Sequence, residues 1–262
     1  MSVDQFLQHI RHNDSYCLPD DWMQGRTVYG GIAASLLLEV LLKIVPADRQ
    51  PRTLTASFIG PAVPGPVTVR TELYRSGKYV TQAQAWLEQN GEVVTTLLVG
   101  FGAARDSVLQ KAAAQPPQMP SSQSLTDMPF IPGVMPEFVK HLQFRWALDE
   151  APFSGKGSGH IGGWQRLRES GDSFGPAHIL MLLDAWPVAA LPLFPKPAPF
   201  STLNWTVEFL CDWPIQTPAE GWWQFHDHTD FIGEGYAHTQ AQLWSPAGLP
   251  VALSRQTVSI FL

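Results

Sequence analysis

Residues 30–46 read GGIAASLLLEVLLKIVP. The Gly30-Gly31 pair permits a tight turn into a helix, and Pro46 ends it. Apolar side chains fall on nearly every side of this helix. It is therefore expected to be buried rather than laid on a surface. Ser35, Glu39 and Lys43 interrupt the stretch from Ile32 to Val45, which is too short and too polar to span a bilayer.

Strand-like runs follow the helix. LTASFI covers 54–59, and VTVRTELYR covers 67–75 with clean alternation of Val67, Val69, Thr71 and Leu73 on one face. YVTQAQAWLEQ (79–89) and EVVTTLLVGF (92–101) flank Asn90-Gly91, a strong two-residue hairpin signal. One buried helix followed by antiparallel strands describes an α+β unit. A strongly twisted sheet of this kind curls around its helix.

The order then repeats. Gly175-Pro176 opens AHILMLLDAWPVAALPL, with proline at a tolerated first helical position and Pro187 and Pro192 limiting the length. TLNWTVEFL (202–210), WWQFHDH (222–228), YAHTQAQLW (236–244) and PVALSRQTVSIF (250–261) read as strands. Superposing Gly91 on Gly248 lays AQAWLEQNGEVV over QAQLWSPAGLPV. Residue identity is slight, so element order and the shared turn carry the duplication. Between the copies, KAAAQPPQMPSSQS (111–124) has linker composition. The expected division is a first unit at 1–110, a linker at 111–128 and a second unit at 129–262. Edge strands of the two units can pair into one longer sheet, which protects both edges.

Bulk properties exclude several classes. Charged residues make up 15% of the 262, against a usual quarter or so, and there are 10 Trp. Such a chain must bury much of itself. With a formal net charge of -6 and no basic cluster, neither nucleic acid nor an anionic membrane surface is an expected partner. Cys17 and Cys211 make no disulfide framework, and MSVDQFLQHIRHND lacks the apolar core of a signal peptide. A reducing, cytoplasmic setting is the expectation.

DWMQGRTVYGG (21–31), SFIGPAVPGPVTVRTELYRSGKYVTQAQAWLEQNGEVV (57–94), LLDAWP (182–187), STLNWTVEF (201–209) and LPVALSRQTVSIF (249–261) occur in that order. Together they resemble the double hot-dog acyl-CoA thioesterases of the bacterial thioesterase II type. The resemblance covers nearly the whole chain outside the linker and rests on the order of the motifs. It implies two tandem units, each a curved antiparallel sheet wrapped around a buried central helix. It further implies hydrolysis of an acyl-CoA to free acid and CoA, no cofactor or metal, and a homodimer or higher homo-oligomer. The family's catalytic Asp, Thr and Gln fall on Asp184, Thr202 and Gln256, which would activate a water without a covalent acyl-enzyme. Asn204 departs from the Asp often found two residues after that Thr.

The residue chemistry is compatible with these roles. A carboxylate within HILMLLDAW costs several kcal/mol unless partnered, so Asp184 needs donors or a function. Thr202 offers a hydroxyl and Gln256 an amide. Each also has a plainer reading: a helix Asp bonded to nearby backbone, a Thr chosen for its strand preference, a Gln on a solvent face. Ser201 neighbours Thr202, and only one of the two can face Asp184. Gly30, Gly31 and Gly175 are candidates by position for an oxyanion site at a helix start. Arg75 and Lys78 flank a turn and are candidates to meet CoA phosphates.

His226 and His228 have no third metal ligand nearby in sequence, GHIGGW (159–164) lacks a phosphate-loop context, and no G-x-S-x-G elbow is present. The competing functions are a catalytically weak acyl or CoA binder with the same fold, and a hot-dog hydratase. The latter needs a closely spaced Asp and His within a hydratase signature, and that signature is not found.

Overall fold

The computed structural model describes residues 1–148 and 151–262. Its first element, α1 (Val3–His12), is a helix that the sequence reading does not contain. Its signal was nonetheless present. Ser2 and Gln5 form a reciprocal capping box, and Val3, Phe6, Leu7 and Ile10 make a buried i, i+3, i+4, i+7 stripe.

After β1 (Tyr16–Leu18) and the small hairpin β2 (Met23–Gln24) and β3 (Thr27–Val28) comes the buried helix α2 (Gly30–Leu42). Residues 31–41 of α2 are all buried. The strands β4 (Gln50–Phe58), β5 (Gly65–Ser76), β6 (Val80–Gln89) and β7 (Glu92–Gly102) complete the first unit. At the β6–β7 turn Asn90 and Gly91 have φ of 54° and 82°. These left-handed values suit the hairpin expected there.

The chain from Ala103 to Ser121 has neither helix nor strand. It crosses the outer sheet face of the second unit, where Trp244 Nε1, Gln224 Nε2 and Trp164 Nε1 donate to the carbonyls of Ala114, Pro117 and Pro120. Next come β8 (Leu142–Trp146), β9 (His160–Leu167), β10 (Ser173–Phe174) and α3 (Pro176–Leu183). Then follow β11 (Phe200–Phe209), β12 (Ile215–Gln216), β13 (Trp223–Gly233), β14 (Tyr236–Trp244) and β15 (Pro250–Ile260). The sequence reading has no strand at β8 or β9, where Gly162 and Gly163 interrupt the apolar pattern.

The main sheet runs β1-β5-β6-β7-β4-β11-β15-β14-β13-β9-β8. Its order about the β4–β11 junction is symmetric, with β5-β6-β7-β4 matched by β13-β14-β15-β11. The junction is antiparallel and pairs Ser57 with Asn204 and Thr53 with Glu208. The two units thus join edge to edge in one sheet, and each curls around its own helix. This is an α+β double hot-dog. The helices touch each other: Ser35 Oγ of α2 donates to the Ala177 carbonyl of α3 at 2.9 Å. One large apolar core runs through both units, and a smaller cluster around Leu191, Phe194 and Ile260 lies in the second.

Candidate active site

The sequence predicts that the second helix continues toward Pro187. It stops at Leu183, which leaves Asp184 as the C-cap residue with φ -90° and ψ -1°. Two buried side chains donate to carbonyls of the last turn. Tyr29 Oη donates to Met181 O at 2.6 Å, and Gln165 Nε2 donates to Leu182 O at 2.9 Å. Burial, and next the nearby Asp184 carboxylate, keep the Tyr29 phenol well above its ordinary pKa, so it remains a donor.

The Asp184 carboxylate faces the N-terminus of α2, where the Gly31 amide donates to it. Gly30 makes that approach possible. A Cβ there would lie 2.9 Å from Asp184 Oδ2 and 3.1 Å from Phe58 Cζ. Burial pushes the Asp184 pKa up to about 7, with Gly31 and Gln256 acting in the opposite direction.

Thr202 turns toward this side of the sheet through a β-bulge. Along β11, Trp205, Val207 and Phe209 point into the core, and strict alternation would send Leu203 inward and Thr202 outward. The β11–β15 register shifts between Thr202 and Asn204, leaving Leu203 exposed and turning Thr202 to the inner face. Across the ladder, Thr202 pairs with Val258 and Trp205 with Gln256. Thr202 Oγ1 donates to Gln256 Oε1 at 2.9 Å, and Gln256 Nε2 lies 3.3 Å from Asp184 Oδ1. The three side chains form one hydrogen-bonded chain. Asn204 points away and donates to Ser57 Oγ at 2.8 Å, so it has no contact with this chain.

A cavity of about 650 Å³ opens over the group. Asp184, Thr202, Ser201 and Gly30 line it, with Ala33, Phe58, Pro199 and Phe200 as apolar wall. Arg26, from the β2–β3 hairpin, is the one Lys or Arg among its described lining residues. Sequence reasoning missed Arg26 as a site residue, although it lies within the DWMQGRTVYGG motif.

The other sequence candidates lie elsewhere. Gly175 N donates to His178 Nδ1 and does not line the cavity. Arg75 and Lys78 stand at the β5–β6 turn, held by Arg49, which follows the C-terminal end of α2. Asp184 is at the N-terminal end of α2. A helix of 13 residues, at 1.5 Å each, puts roughly 20 Å between the two ends. Arg75 and Lys78 line a different cleft.

The first unit carries a degenerate counterpart. Glu39 stands as far beyond Gly30 as Asp184 beyond Gly175. Strand β4 has a register shift between Pro51 and Thr53 like that of β11, so Pro51 corresponds to Thr202. Val99, paired with Leu54, corresponds to Gln256. Neither replacement has a side-chain hydrogen-bonding group. Glu39 is buried and accepts from Arg11 of α1 at 2.8 Å and 2.6 Å. Helix α1 therefore closes this second position.

Elsewhere, His226 and His228 stack with His160 on the outer sheet face, and burial pushes the His226 pKa down to about 4. Among the described residues no cluster of three or more His, Cys, Asp or Glu is arranged to hold a metal. Trp205 and Trp223 are core residues, Trp244 is buried under the linker, and none of the three lines the cavity. No described helix is long and apolar enough to cross a membrane.

Comparison with known proteins bears on both units. Residues 18–102 match the acyl-CoA thioesterase N-terminal domain, and residues 112–260 match the acyl-CoA thioesterase C-terminal domain. No curated protein matches the sequence. Among solved structures, the chain resembles a conserved hot-dog-fold protein of unknown function from Alicyclobacillus acidocaldarius. The TM-score is 0.83 at 20% identity, over 95% of this chain and 92% of that one. It also resembles an acyl-CoA thioesterase II from Mycobacterium marinum, with TM-score 0.74 and 19% identity over 97% of this chain and 98% of that one. At these identities the structural likeness speaks for the fold.

Proposed function

The chain belongs to the acyl-CoA thioesterase family, and from that premise we propose that it hydrolyses acyl-CoA at Asp184, Thr202 and Gln256. As a member it is a thioester hydrolase. The observation that carries the site is the continuous hydrogen bonding from Thr202 through Gln256 to Asp184 beside an open cavity.

The bonding pattern suggests how a water would be held. Thr202 spends its proton on Gln256 Oε1, so its oxygen lone pairs are free to accept. A water that donates one proton to Thr202 Oγ1 and the other to Asp184 keeps a lone pair for the thioester carbonyl. Asp184, ionised above about pH 7, takes a proton as the water attacks. The C–S bond then breaks and the proton passes to the departing CoA sulfur, giving free acid and CoA thiol. The Gly31 amide is engaged by Asp184, so the Gly30 amide at the start of α2 would serve the developing oxyanion. Ala33, Phe58 and Phe200 would receive the acyl chain, and Arg26 at the mouth would meet the anionic end of CoA.

The test is thiol release by the purified chain from acyl-CoAs of graded chain length, beside Asp184→Asn. Release by the unaltered protein and its loss in the variant support the reading. Equal release by both would move the chemistry to another place.

A further inference from the structure

A second cleft lies on the outer face of the first unit's sheet and shares no lining residue with the Asp184 cavity. Its volume is about 680 Å³, and it continues into a neighbouring hollow of about 420 Å³ through Tyr79 and Arg105. Its floor is the β7 backbone flanked by the Arg52, Thr53, Val80 and Gln82 side chains. The outward positions of β7 here are Gly100 and Gly102, where a Cβ would come within 3.1 Å of Thr53 Cγ2 and Arg52 Cγ respectively.

The rim is basic in a chain whose formal net charge is -6. Arg52, Arg75, Lys78 and Arg105 line the two hollows, with Asp106 and Asp212 as the acidic residues. Asp212 lies 3.4 Å from Arg52. Arg75, Lys78 and Arg105 form no ion pair among the described residues. Instead, Lys78 Nζ and the Arg105 guanidinium sit 5.0 Å and 5.6 Å from the centre of the Tyr79 ring, which is 40% exposed.

The arrangement is braced from below. Arg49, 8% exposed, donates to the carbonyls of Gly77 and Lys78 at 3.0 Å and 2.7 Å. Ala103 N donates to Tyr79 O at 2.9 Å and so brings the segment carrying Arg105 against the same turn.

We propose that this cleft binds a phosphorylated nucleoside, its ring on Tyr79 and its phosphates on Arg105, Lys78 and Arg75. Unpaired cations grouped within one cleft favour a multiply charged anion. The part-exposed Tyr79 ring offers a flat group an aromatic surface. The shared chemistry is a nucleotide with phosphate groups, either free or as the nucleotide end of CoA.

Calorimetric titration of the full chain with adenosine 3′,5′-bisphosphate, pyrophosphate and adenosine tests this. The bisphosphate is expected to saturate with a Kd below about 1 mM at low salt and to weaken as salt rises. The double variant Lys78→Glu, Arg105→Glu should weaken it about tenfold or more, and Tyr79→Ala several-fold. These side chains are exposed, so an unchanged melting temperature checks that the variants fold. Asp184→Asn should leave this binding intact, which separates the cleft from the active site. No saturable binding, equal affinity in the double variant, or pyrophosphate binding as tightly as the bisphosphate would overturn the proposal. A raised KM for acyl-CoA in the double variant, at unchanged kcat, would assign the cleft, in place of Arg26, to the nucleotide end of CoA. An unchanged KM, with turnover that responds to added bisphosphate in the unaltered protein only, would assign it to a free nucleotide.

Discussion

Thr202 Oγ1 donates to Gln256 Oε1 at 2.9 Å, and this bond decides which way round the Gln256 amide sits. With its oxygen engaged by Thr202, the amide must offer Nε2 to Asp184. Thr202 thereby orients the group that stabilises the ionised carboxylate.

Thr202→Val should release the amide and remove a water acceptor. We expect kcat to fall by about 10-fold to 100-fold with a small change in KM. Thr202→Ser should recover most of the loss in the same steady-state assay.

The rate should depend on the ionisation of Asp184. Its pKa is raised to about 7, so kcat/KM should rise with pH and level off above that value. Gln256→Leu removes one of the two groups that oppose the rise, so the acidic limb should move to higher pH. A limb that stays in place would remove Gln256 from this role.

The same shift has a cost in stability. An Asp whose folded pKa lies above its unfolded value of about 4 contributes stability that is fully present below pH 4 and lost as pH rises through about 7. Asp184→Asn should therefore abolish activity and yet stabilise the fold at pH 8, by up to ~4 kcal/mol. Denaturant melts at pH 8 and pH 4 should show that gain shrinking at the lower pH.

Tyr29→Phe keeps the ring stacked on Phe138, whose centroid is 4.2 Å away, but leaves Met181 O uncapped. We expect a loss of about 1 kcal/mol and a shift of the acidic limb to higher pH, since an uncapped helix carbonyl disfavours the nearby carboxylate. Ser35→Ala removes a comparable bond to the far end of α3. It should cost similar stability without moving the limb.

Arg26→Ala should raise KM for acyl-CoA several-fold and leave kcat nearly unchanged. The difference from the unaltered protein should fade at high salt, because the charge is exposed at the cavity mouth.

Much of the fold was determined by the sequence itself. Two glycine-led apolar helices, each followed by strands, and the Asn90-Gly91 turn are local patterns, and local patterns survive reading along the chain. The ordered motifs also brought out Asp184, Thr202 and Gln256. Other local signals, the Ser2–Gln5 capping box and the apolar stripe of α1, were legible and were passed over. What only the tertiary structure decided are relations between distant segments. The turn of Thr202 inward depends on how β11 pairs with β15, since a bulge breaks the two-residue period that strand reading assumes. The early end of α3 depends on Tyr29 and Gln165, which come from other elements. The separation of Arg75 and Lys78 from Asp184 depends on which end of α2 each lies near. Pairing register, side-chain caps and distance through space involve residues far apart in sequence, and no local pattern encodes them.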